Sequence, residues 1–412
     1  MPPGLPLGPH WRAPQHGGRC FDALPGTVER LLTGASPLPP LELAAHGLPE
    51  RAHRVALVYL DAFGWRFLER HGDHPTLARA RSAERLTAQF PSTTAAHVTT
   101  VHTGLPVAEH GVYEWHIYEP KLDRLITPLM WTLAGDKERG SLGATGLALA
   151  DVFPDGSPLY RRLAAGGVTP VVVQPAAFLP AGGEAVAPSA LIAGESVVEP
   201  WVMIDEAFER LAVAACREER AFLNLYLPHV DELMHQNGPD HAFVDEAIEW
   251  TLDLLGEALD ALPDGTVVLL TADHGMAPVS PQGTVYVNQA WPELAGLLRH
   301  GADGLPLAPA GSCRDLFLHA APGRAEEVRD GLAARLEGVA EVHLTADLLA
   351  AGLFGPVPGE RLLARVGDIT VLPFLGEAVS WWEAGRFEQK FLGQHGGLTP
   401  DEMDIPLVVF QV

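Results

Sequence analysis

The chain has 412 residues, and 47% of them are hydrophobic, which predicts a globular protein with a sizeable core and excludes a disordered chain. Its formal net charge is −24. Because such a surface repels phosphate backbones, and no Lys/Arg stripe is interleaved with aromatic residues, we expect no binding to nucleic-acid polymers.

Residues 1–50 are predicted to form an extended lead-in with one short helix from Gly26 to Leu32. Their first stretch, MPPGLPLGPHWRAPQHGG, is rich in proline and lacks the apolar segment of a signal peptide. The chain has no run of 18 apolar residues, and Cys20, Cys216 and Cys313 lack the spacing of a disulfide framework or a metal motif. We therefore expect a reducing, cytoplasmic location and no association with membranes.

Short apolar runs that end in turn signals recur along the chain and alternate with helical patterns. The runs are RVALVYL, VTPVVVQP, AFLNLYL, GTVVLLTA and, at the end, IPLVVFQV. Helices are predicted from Phe67 to Arg81, from Trp201 to Glu218 and from His241 to Ala261. Buried strands that alternate with helices predict an α/β fold with a mostly parallel central sheet and helices on both faces.

Residues 285–374 have a different pattern. The stretch RDLFLHAAPGRAEEVRDGLAARLEGVAEVHLTADLL predicts a strand, a helix and a strand, and DITVLP predicts a further strand. We interpret 285–374 as a small α+β insertion or cap. The remaining residues, 51–284 and 375–412, are then predicted to form one catalytic domain.

Acidic and imidazole side chains follow the ends of the predicted strands or lie in the Gly-rich loop before the last one. They are Asp61, Asp231, His235, Asp273, His274 and His395. Ligands of open α/β sheets bind at the carboxyl ends of the strands, so these side chains are expected to lie close together. Six oxygen and nitrogen donors suit two divalent metals with three protein ligands each and open positions.

Each of these residues also has a structural alternative when it is taken singly. Asp61 could cap a helix, Asp231 and His235 could be an exposed helical pair, and His395 could lie on the surface. The pair Asp273-His274 could be a satisfied turn at a strand end. A metal site explains why all of them are expected at one edge of the sheet, which the separate alternatives leave to chance.

The stretch AQFPSTTAAHVTTVHTG places Ser92, Thr93 and Thr94 after Pro91, at the start of a predicted helix. Hydroxyl residues in this position are usually helix caps. The functional alternative is a threonine nucleophile, because a helix N-terminus favours an anion and a neighbouring metal would lower the pKa of the hydroxyl.

Six motifs occur in the chain in the order LVYLDAFGW, FPSTTAAHVTTVHTG, EHGVYEWHIYEP, LPHVDELMHQNGP, TADHGM and GQHGG. In this order they resemble the alkaline phosphatase superfamily, most closely its nucleotide pyrophosphatase/phosphodiesterase branch. The similarity covers roughly residues 53 to 280 and 390 to 412, and it omits the lead-in and the predicted insertion.

The resemblance implies two zinc sites, one held by Asp231, His235 and His395, the other by Asp61, Asp273 and His274. Mn²⁺ or Fe would be tolerated by the same donors. It also implies a threonine nucleophile between the metals, which is Thr94 when counted from FPS and Thr93 when counted back from His97; we prefer Thr94.

The implied reaction is hydrolysis of a phosphodiester or pyrophosphate bond through a covalent phosphothreonine. The expected partner is a small phosphate ester, which includes nucleotides. A phosphomonoesterase or phosphonate hydrolase on the same site is the alternative, and an inactive metal-binding scaffold is the non-enzymatic one. A sulfatase is disfavoured, because no Cys or Ser lies in the C/S-x-P-x-R context of that family's nucleophile.

One position departs from the family pattern. Trp115 aligns with the family's phosphate-binding Asn, and an indole offers one donor on a bulky plane. We expect Trp115, His116 and Tyr118 either to shape the substrate pocket or to pack their own loop. The preference between diester and monoester substrates therefore stays open.

Overall fold

The computed structural model describes residues 7–137, 140–179 and 192–412. The first six residues of the predicted lead-in lie outside these ranges. The helices are α1 Leu24–Thr33, α2 Trp65–Arg70, α3 Thr94–Thr103, α4 Val107–His110, α5 Leu149–Val152, α6 Pro158–Ala165, α7 Ile204–Arg217, α8 His229–Asn237, α9 Ala242–Ala261, α10 Val287–Ala290, α11 Ala325–Arg335, α12 Thr345–Ala350, α13 Glu360–Arg365 and α14 Pro400–Met403. Within the described ranges, none of the helices has the length and apolar character needed to cross a bilayer.

The strands fall into one large sheet and several small ones. They are β1 Arg54–Leu60, β2 Ser82–Thr87, β3 Ile117–Glu119, β4 Arg124–Thr127, β5 Thr132–Leu133, β6 Thr169–Pro175, β7 Val197–Trp201, β8 Ala221–Leu227, β9 Thr266–Thr271, β10 Ala277–Pro278, β11 Val285–Tyr286, β12 Ala310–Gly311, β13 Leu316–Leu318, β14 Ala340–Leu344, β15 Ile369–Pro373, β16 Val379–Ser380, β17 Gly393–Gln394 and β18 Asp404–Gln411.

The large sheet has the order β2-β18-β9-β1-β8-β6-β7. The five strands from β9 to β7 are parallel, which confirms the predicted mostly parallel α/β sheet. The closing strand β18 instead runs antiparallel to both β9 and β2. The reason is the connection: the chain enters β18 at the edge where β9 ends, with Leu407 opposite Thr271, so no crossover turns it parallel.

The sheet is buried between helices on both of its faces. Every residue of β9, and every residue of β1 after Arg54, is buried. Helices α1, α3 and α6 contact one another, and α9 contacts both α7 and α8. A sheet covered on both sides explains why its central strands are continuous apolar runs and do not alternate with polar residues.

The predicted lead-in is not extended. Its helix α1 covers the predicted Gly26–Leu32, and the described residues before it pack onto the main core. Phe21, fully buried, contacts the Tyr59 ring at 5.8 Å and the His97 ring at 4.7 Å between centroids. The segment is therefore a structural part of the region that carries the candidate nucleophile.

Two predicted helices differ from the observed ones. The helix predicted from Phe67 to Arg81 stops at Arg70, because Gly72 and Pro75 break it, and the chain then forms the edge strand β2. Trp201, predicted to start a helix, ends strand β7, and the helix begins at Ile204. Strand β2 was not predicted because SAERLT has few apolar residues, and strand β7 was not predicted because it is short and contains a proline.

The region 285–374 contains the predicted strand, helix, strand and further strand as β13, α11, β14 and β15. These strands lie in a separate antiparallel sheet of order β12-β13-β15-β14. One side of it has an apolar cluster of its own, which includes Trp291, Leu332 and Val371. Phe317 and Phe354 pack with the main core instead. The division of the chain into a catalytic domain and an insertion stays a prediction.

Candidate metal and nucleophile site

Adjacent strands bring the predicted metal ligands to one edge of the large sheet. Asp61 directly follows β1, and Asp273 and His274 lie just after its neighbour β9. Helix α8, which starts after β8 on the other side of β1, carries Asp231 and His235 one turn apart. His395 reaches the same edge because β17, just before it, pairs with β10.

The first group of donor atoms comprises Asp61, Asp273 and His274, all buried and within 4.8 Å of one another. His274 Nε2 lies 3.1 Å from Asp273 Oδ2 and 3.5 Å from Asp61 Oδ1. Three converging donors of mixed oxygen and nitrogen type are a first coordination sphere suited to a divalent transition metal.

The second group is centred on Asp231. Its Oδ2 lies 3.3 Å from His235 Nε2 and its Oδ1 lies 3.7 Å from His395 Nε2. The donor atoms of Asp231 and His395 also lie within 4.8 Å of one of His274. The family resemblance instead implied that His235 is the third ligand beside Asp231 and His395. The His274 and His395 rings stack with 3.6 Å between centroids, so the two groups form one continuous cluster.

All three imidazoles are oriented by backbone carbonyls. The Nδ1 atoms of His235, His274 and His395 lie 2.8, 2.9 and 3.0 Å from the carbonyl oxygens of Gly393, Gly275 and Ser92. Since a carbonyl oxygen only accepts, each Nδ1 must donate, and in the neutral ring the Nε2 lone pair faces the carboxylates. This is the arrangement that metal-ligating histidines use to fix their tautomer.

In this cluster, three buried carboxylate oxygens have no hydrogen-bond partner among the described residues: Asp61 Oδ1, Asp231 Oδ1 and Asp273 Oδ2. Buried polar atoms are normally paired, because an unpaired one loses its interactions with water without compensation. The three oxygens face imidazole nitrogens of the same cluster. The residues present therefore fit divalent cations, which would bind these oxygens and the Nε2 lone pairs together.

The pKa values in the cluster show how strongly its charges interact. Burial and the neighbouring Asp273 raise the pKa of Asp61 well above its usual value. Burial opposes protonation of His274, yet Asp273 raises the pKa of that imidazole, and Asp231 does the same for His235. Protons on these imidazoles and metal ions would compete for the same Nε2 atoms, so metal binding would release protons.

The two candidate threonines have different surroundings. Thr93 is the N-cap of α3: its Oγ1 accepts from Ala96 N at 3.4 Å and donates to Tyr113 O at 2.8 Å. Thr94 is the first residue of that helix, and its Oγ1 lies 3.1 Å from His274 Nε2 and 3.5 Å from Asp61 Oδ2. Only the Thr94 hydroxyl thus faces the acidic cluster.

Close backbone approaches hold the loops of the site. Ser92 Oγ donates to Gly397 O at 2.8 Å and accepts from Gly396 N at 3.2 Å, which ties the threonine loop to the His395 loop. Gly396 has a φ of +124° and leaves no room for a side chain beside Asp315. Gly275 is as tightly placed, since a Cβ there would collide with the carbonyl of Asp401.

A cavity of about 570 Å³ opens beside the cluster. Trp115, 44% exposed, and His116 line it, together with the aromatic rings of Trp381, Phe387 and Phe391. These residues surround the space next to Thr94 in which a substrate group would lie.

Tyr118 has different surroundings from Trp115 and His116. It is not among the described residues that line the cavity. Its hydroxyl donates to Asp123 Oδ1 at 2.6 Å, and its ring packs against His319 at 4.8 Å between centroids. Tyr118 lies in β3, whose residues are all buried, and these contacts favour the alternative role in which it packs its own loop.

Two supporting contacts were not predicted from the sequence. The Tyr226 hydroxyl donates to Asp61 Oδ2 and so fixes that carboxylate. The fully buried Arg314 binds both carboxylate oxygens of Glu402, at 3.0 and 2.9 Å, and Glu402 accepts from Gly397 N in the His395 loop. In the sequence, Tyr226 is marked only as a polar group within an apolar strand. The pair of Arg314 and Glu402 leaves no local pattern, because the two residues lie 88 residues apart.

Solved structures with a similar fold are known. The chain matches murine ectonucleotide pyrophosphatase/phosphodiesterase 5, as an inactive threonine-to-alanine variant in complex with AMP, with a TM-score of 0.60 and 17% identity over 87% of this chain and 88% of that one. It matches the human protein of the same name with a TM-score of 0.58 and 17% identity over 86% and 87%. At this identity the likeness shows the fold, which is that of the alkaline phosphatase superfamily.

No curated protein has a significantly similar sequence. The family model for type I phosphodiesterase/nucleotide pyrophosphatase, however, matches residues 55–398. That range starts in β1 and includes the candidate nucleophile and all six predicted ligands. Because the match spans most of the sequence, the chain belongs to the type I phosphodiesterase/nucleotide pyrophosphatase family.

Proposed function

We propose that the protein is a hydrolase of phosphodiester or pyrophosphate bonds that uses two zinc ions and a covalent phosphothreonine at Thr94. The observation that carries the proposal is the position of the Thr94 hydroxyl. It lies at the start of α3, 3.1 Å from His274 Nε2 and 3.5 Å from Asp61 Oδ2, at the centre of a ligand cluster with unpaired carboxylate oxygens. Family membership supports the reaction class.

Asp61, Asp273 and His274 would hold one ion, and Asp231, His235 and His395 the other. Bound ions would supply positive charge to the phosphoryl oxygens and favour the deprotonated form of the neighbouring hydroxyl. The carbonyls of Gly393, Gly275 and Ser92 keep the three Nε2 atoms pointed at the ions. Asp/His ligation without cysteine suits zinc, and Mn²⁺ or Fe would bind the same donors.

Helix α3 orients the reacting group. The N–H groups of its first turn have no acceptors within the helix. The N–H of Ala96 donates to Thr93 Oγ1 instead. The remaining groups and the helix dipole favour negative charge beside Thr94. Thr94 Oγ1 attacks phosphorus and the ester oxygen of the leaving group departs; water then breaks the new Oγ1–phosphorus bond and restores the hydroxyl.

A small nucleotide is the substrate that the cavity supports best. Its aromatic wall of Trp115, Trp381, Phe387 and Phe391 offers faces for a planar base, and its volume of about 570 Å³ is within the usual range for small ligands. The murine protein of similar fold binds AMP. Trp115 stands where the family has a phosphate-binding Asn, so a phosphomonoesterase or phosphonate hydrolase is the second candidate.

The free state of Cys20, Cys216 and Cys313 supports a reducing compartment, and we propose a cytoplasmic location.

The test compares Thr94→Ala with Thr93→Ala. Thr94→Ala removes the attacking oxygen and leaves the six ligands, so activity should fall on the order of 10³-fold or more at unchanged metal content. Thr93→Ala removes a helix cap and should cost about 0.5–2 kcal/mol of stability with most activity retained. Each variant is assayed on a nitrophenyl phosphate monoester, the matching diester and dinucleotides, alongside elemental analysis.

The two variants separate the possible errors. An inactive Thr93→Ala beside an active Thr94→Ala would move the nucleophile by one residue. Near-full activity of both would rule out the covalent intermediate and favour direct attack by water. A wild-type protein with both metals bound but no activity on any of these esters would favour the inactive scaffold.

A further inference from the structure

Three potential metal ligands converge in the lead-in, outside the site described above: His16, Cys20 and Asp22. Their donor atoms lie within 4.8 Å of one another. His16 Nδ1 lies 2.6 Å from Asp22 Oδ2, and His16 Nε2 lies 3.4 Å from the carbonyl of Leu353. An imidazole, a thiol and a carboxylate are the three ligand types that zinc takes from proteins.

The local sequence is shaped to bring these groups together. Gly17 and Gly18 have φ values of +85° and +143°, which side chains rarely adopt, and the turn they form folds His16 back towards Cys20. Cys20 is fully buried and forms an isolated bridge with Thr87 at the end of β2. Phe21, buried against Tyr59 and His97, anchors the segment between the two ligands that flank it.

An ion would displace one hydrogen-bonding proton from His16 and one from Cys20, whose thiol donates to the carbonyl of Ala88 at 3.4 Å. His16 Nδ1, 2.6 Å from Asp22 Oδ2, carries the proton that an ion would displace, while His16 Nε2 donates to the carbonyl of Leu353 at 3.4 Å. This carbonyl contact matches the way metal-ligating histidines are oriented. A tetrahedral ion with bonds of about 2.0–2.1 Å would hold Nδ1 and Oδ2 roughly 3.3 Å apart, a shift of less than about 1 Å.

The charges of the cluster also suit a divalent cation. A thiolate, a carboxylate and a neutral imidazole around one divalent ion sum to zero charge, which a buried position requires. His16 and Asp22 keep 14% and 13% of their side chains exposed, enough for water to complete the coordination.

We propose that His16, Cys20 and Asp22 form a third metal site, a structural zinc site that fastens the lead-in to the catalytic core. Cys20 pairs with Thr87, the last residue of β2, and the chain runs from there directly to Ser92, Thr93 and Thr94. The ion would thus stabilise the support of the threonine loop. The inference is independent of the proposed function, because none of the predicted catalytic ligands takes part.

The experiment exploits the sulfur ligand. The full-length protein is stripped of metal, reloaded with Co²⁺ and examined for a thiolate-to-cobalt charge-transfer band, which the oxygen and nitrogen ligands of the sheet-edge site cannot produce. Wild type should show this band and bind about three metal equivalents. Cys20→Ser should lose the band and one equivalent, and keep the other two.

Matched controls and second variants protect the test against misfolding. Cys216→Ser and Cys313→Ser remove an exposed and a buried thiol without His and Asp neighbours of this kind, and should keep the band. Asp22→Asn and His16→Gln, at partly exposed positions, should each lose the third equivalent and lower the melting temperature only when metal is present. A wild type without the band, or a band that persists in Cys20→Ser, would overturn the proposal.

Discussion

Two buried clusters of charged groups lie on either side of the His395 loop, and only one of them is complete. Arg314 and Glu402 are both fully buried and pair through two hydrogen bonds, and the Arg314 guanidinium also donates to the carbonyls of Phe374 and Glu377. Glu402 accepts further from Gly397 and Thr399. Every charge in this cluster has a partner of opposite sign or a hydrogen bond.

The sheet-edge cluster differs in composition and in pairing. Asp61, Asp231 and Asp273 are held together without an arginine or lysine among their described contacts, and each leaves one oxygen without a hydrogen bond. The comparison shows that the chain can pair buried charges fully where they serve structure. Incomplete pairing at the strand ends is therefore best explained by cations that belong to the site.

The largest expected effect comes from removing one of the unpaired carboxylates. Asp273→Asn keeps an oxygen for the Ala62 N–H but loses a metal ligand, so activity should fall on the order of 10³-fold and metal content should drop. In chelator-treated protein, the free energy of unfolding should change by less than about 1 kcal/mol. The variant loses the contact between Asp273 and His274, but it also loses the repulsion between Asp273 and the neighbouring acids. Strong destabilisation without metal would show that the cluster is complete by itself.

The opposite outcome is expected in the complete cluster. Glu402→Gln leaves the buried Arg314 charge unpaired and should lower the free energy of unfolding by about 3–5 kcal/mol, with or without metal. The double variant Arg314→Met/Glu402→Gln should lose less than Glu402→Gln alone, since no buried charge remains. Denaturant unfolding of wild type and the two variants measures both losses; equal losses would mean that the unpaired Arg314 charge costs little.

A smaller effect is expected between the two clusters, at Ser92. Ser92→Ala removes both hydroxyl contacts to the His395 loop but keeps the carbonyl that orients His395. Metal affinity, measured by competition with a chelator, should fall about 10–100-fold. Ser36→Ala, which removes a hydroxyl contact to Glu29 in the lead-in, is the matched control and should leave affinity unchanged. Unchanged affinity in Ser92→Ala would mean that the loop holds His395 without this hydroxyl.

The smallest effect concerns a buried histidine that is fully bonded. His110 accepts from Val112 N through Nδ1 and contacts Thr100 Oγ1 through Nε2, and burial lowers its pKa from 6.5 to about 3. The folded state favours the neutral ring. The stabilisation that neutral His110 contributes is therefore present above pH 6.5 and is lost as the pH falls towards 3. In the presence of chelator, the free energy of unfolding of His110→Gln should decline less steeply with falling pH than that of wild type, by up to about 1.4 kcal/mol per pH unit. If the variant's free energy of unfolding fell with pH as steeply as that of wild type, His110 would not contribute to the decline.

Much of the fold, and part of the predicted ligand set, could be predicted because some of the ionisable residues mark the end of a buried apolar run. Asp61 and the Asp273-His274 pair are such cases, since a continuous apolar run ending in ionisable groups indicates both a parallel strand and its functional end. The direction of β18 could not be predicted, because an apolar run looks the same in either orientation. The different surroundings of Thr94 and Thr93 could not be predicted either, since either hydroxyl suits a helix start.

The supporting contacts were beyond the sequence for a related reason. The carbonyls that orient His235, His274 and His395 belong to the backbone and leave no mark on residue type. The sequence also left open whether Tyr118 lines the pocket or packs its loop, because that depends on the burial of strand β3. The spacing of the cysteines alone does not point to His16 and Asp22, because these two residues meet Cys20 only in the folded lead-in.

The most direct test of the central claim is anomalous diffraction from crystals of the full-length protein grown with zinc. We predict two strong peaks about 3.5–4 Å apart at the strand ends, one beside Asp61, Asp273 and His274, the other beside Asp231, His235 and His395. The Thr94 hydroxyl should point between them. The absence of peaks from this cluster in zinc-saturated crystals, with the same side chains paired directly to one another, would contradict the account.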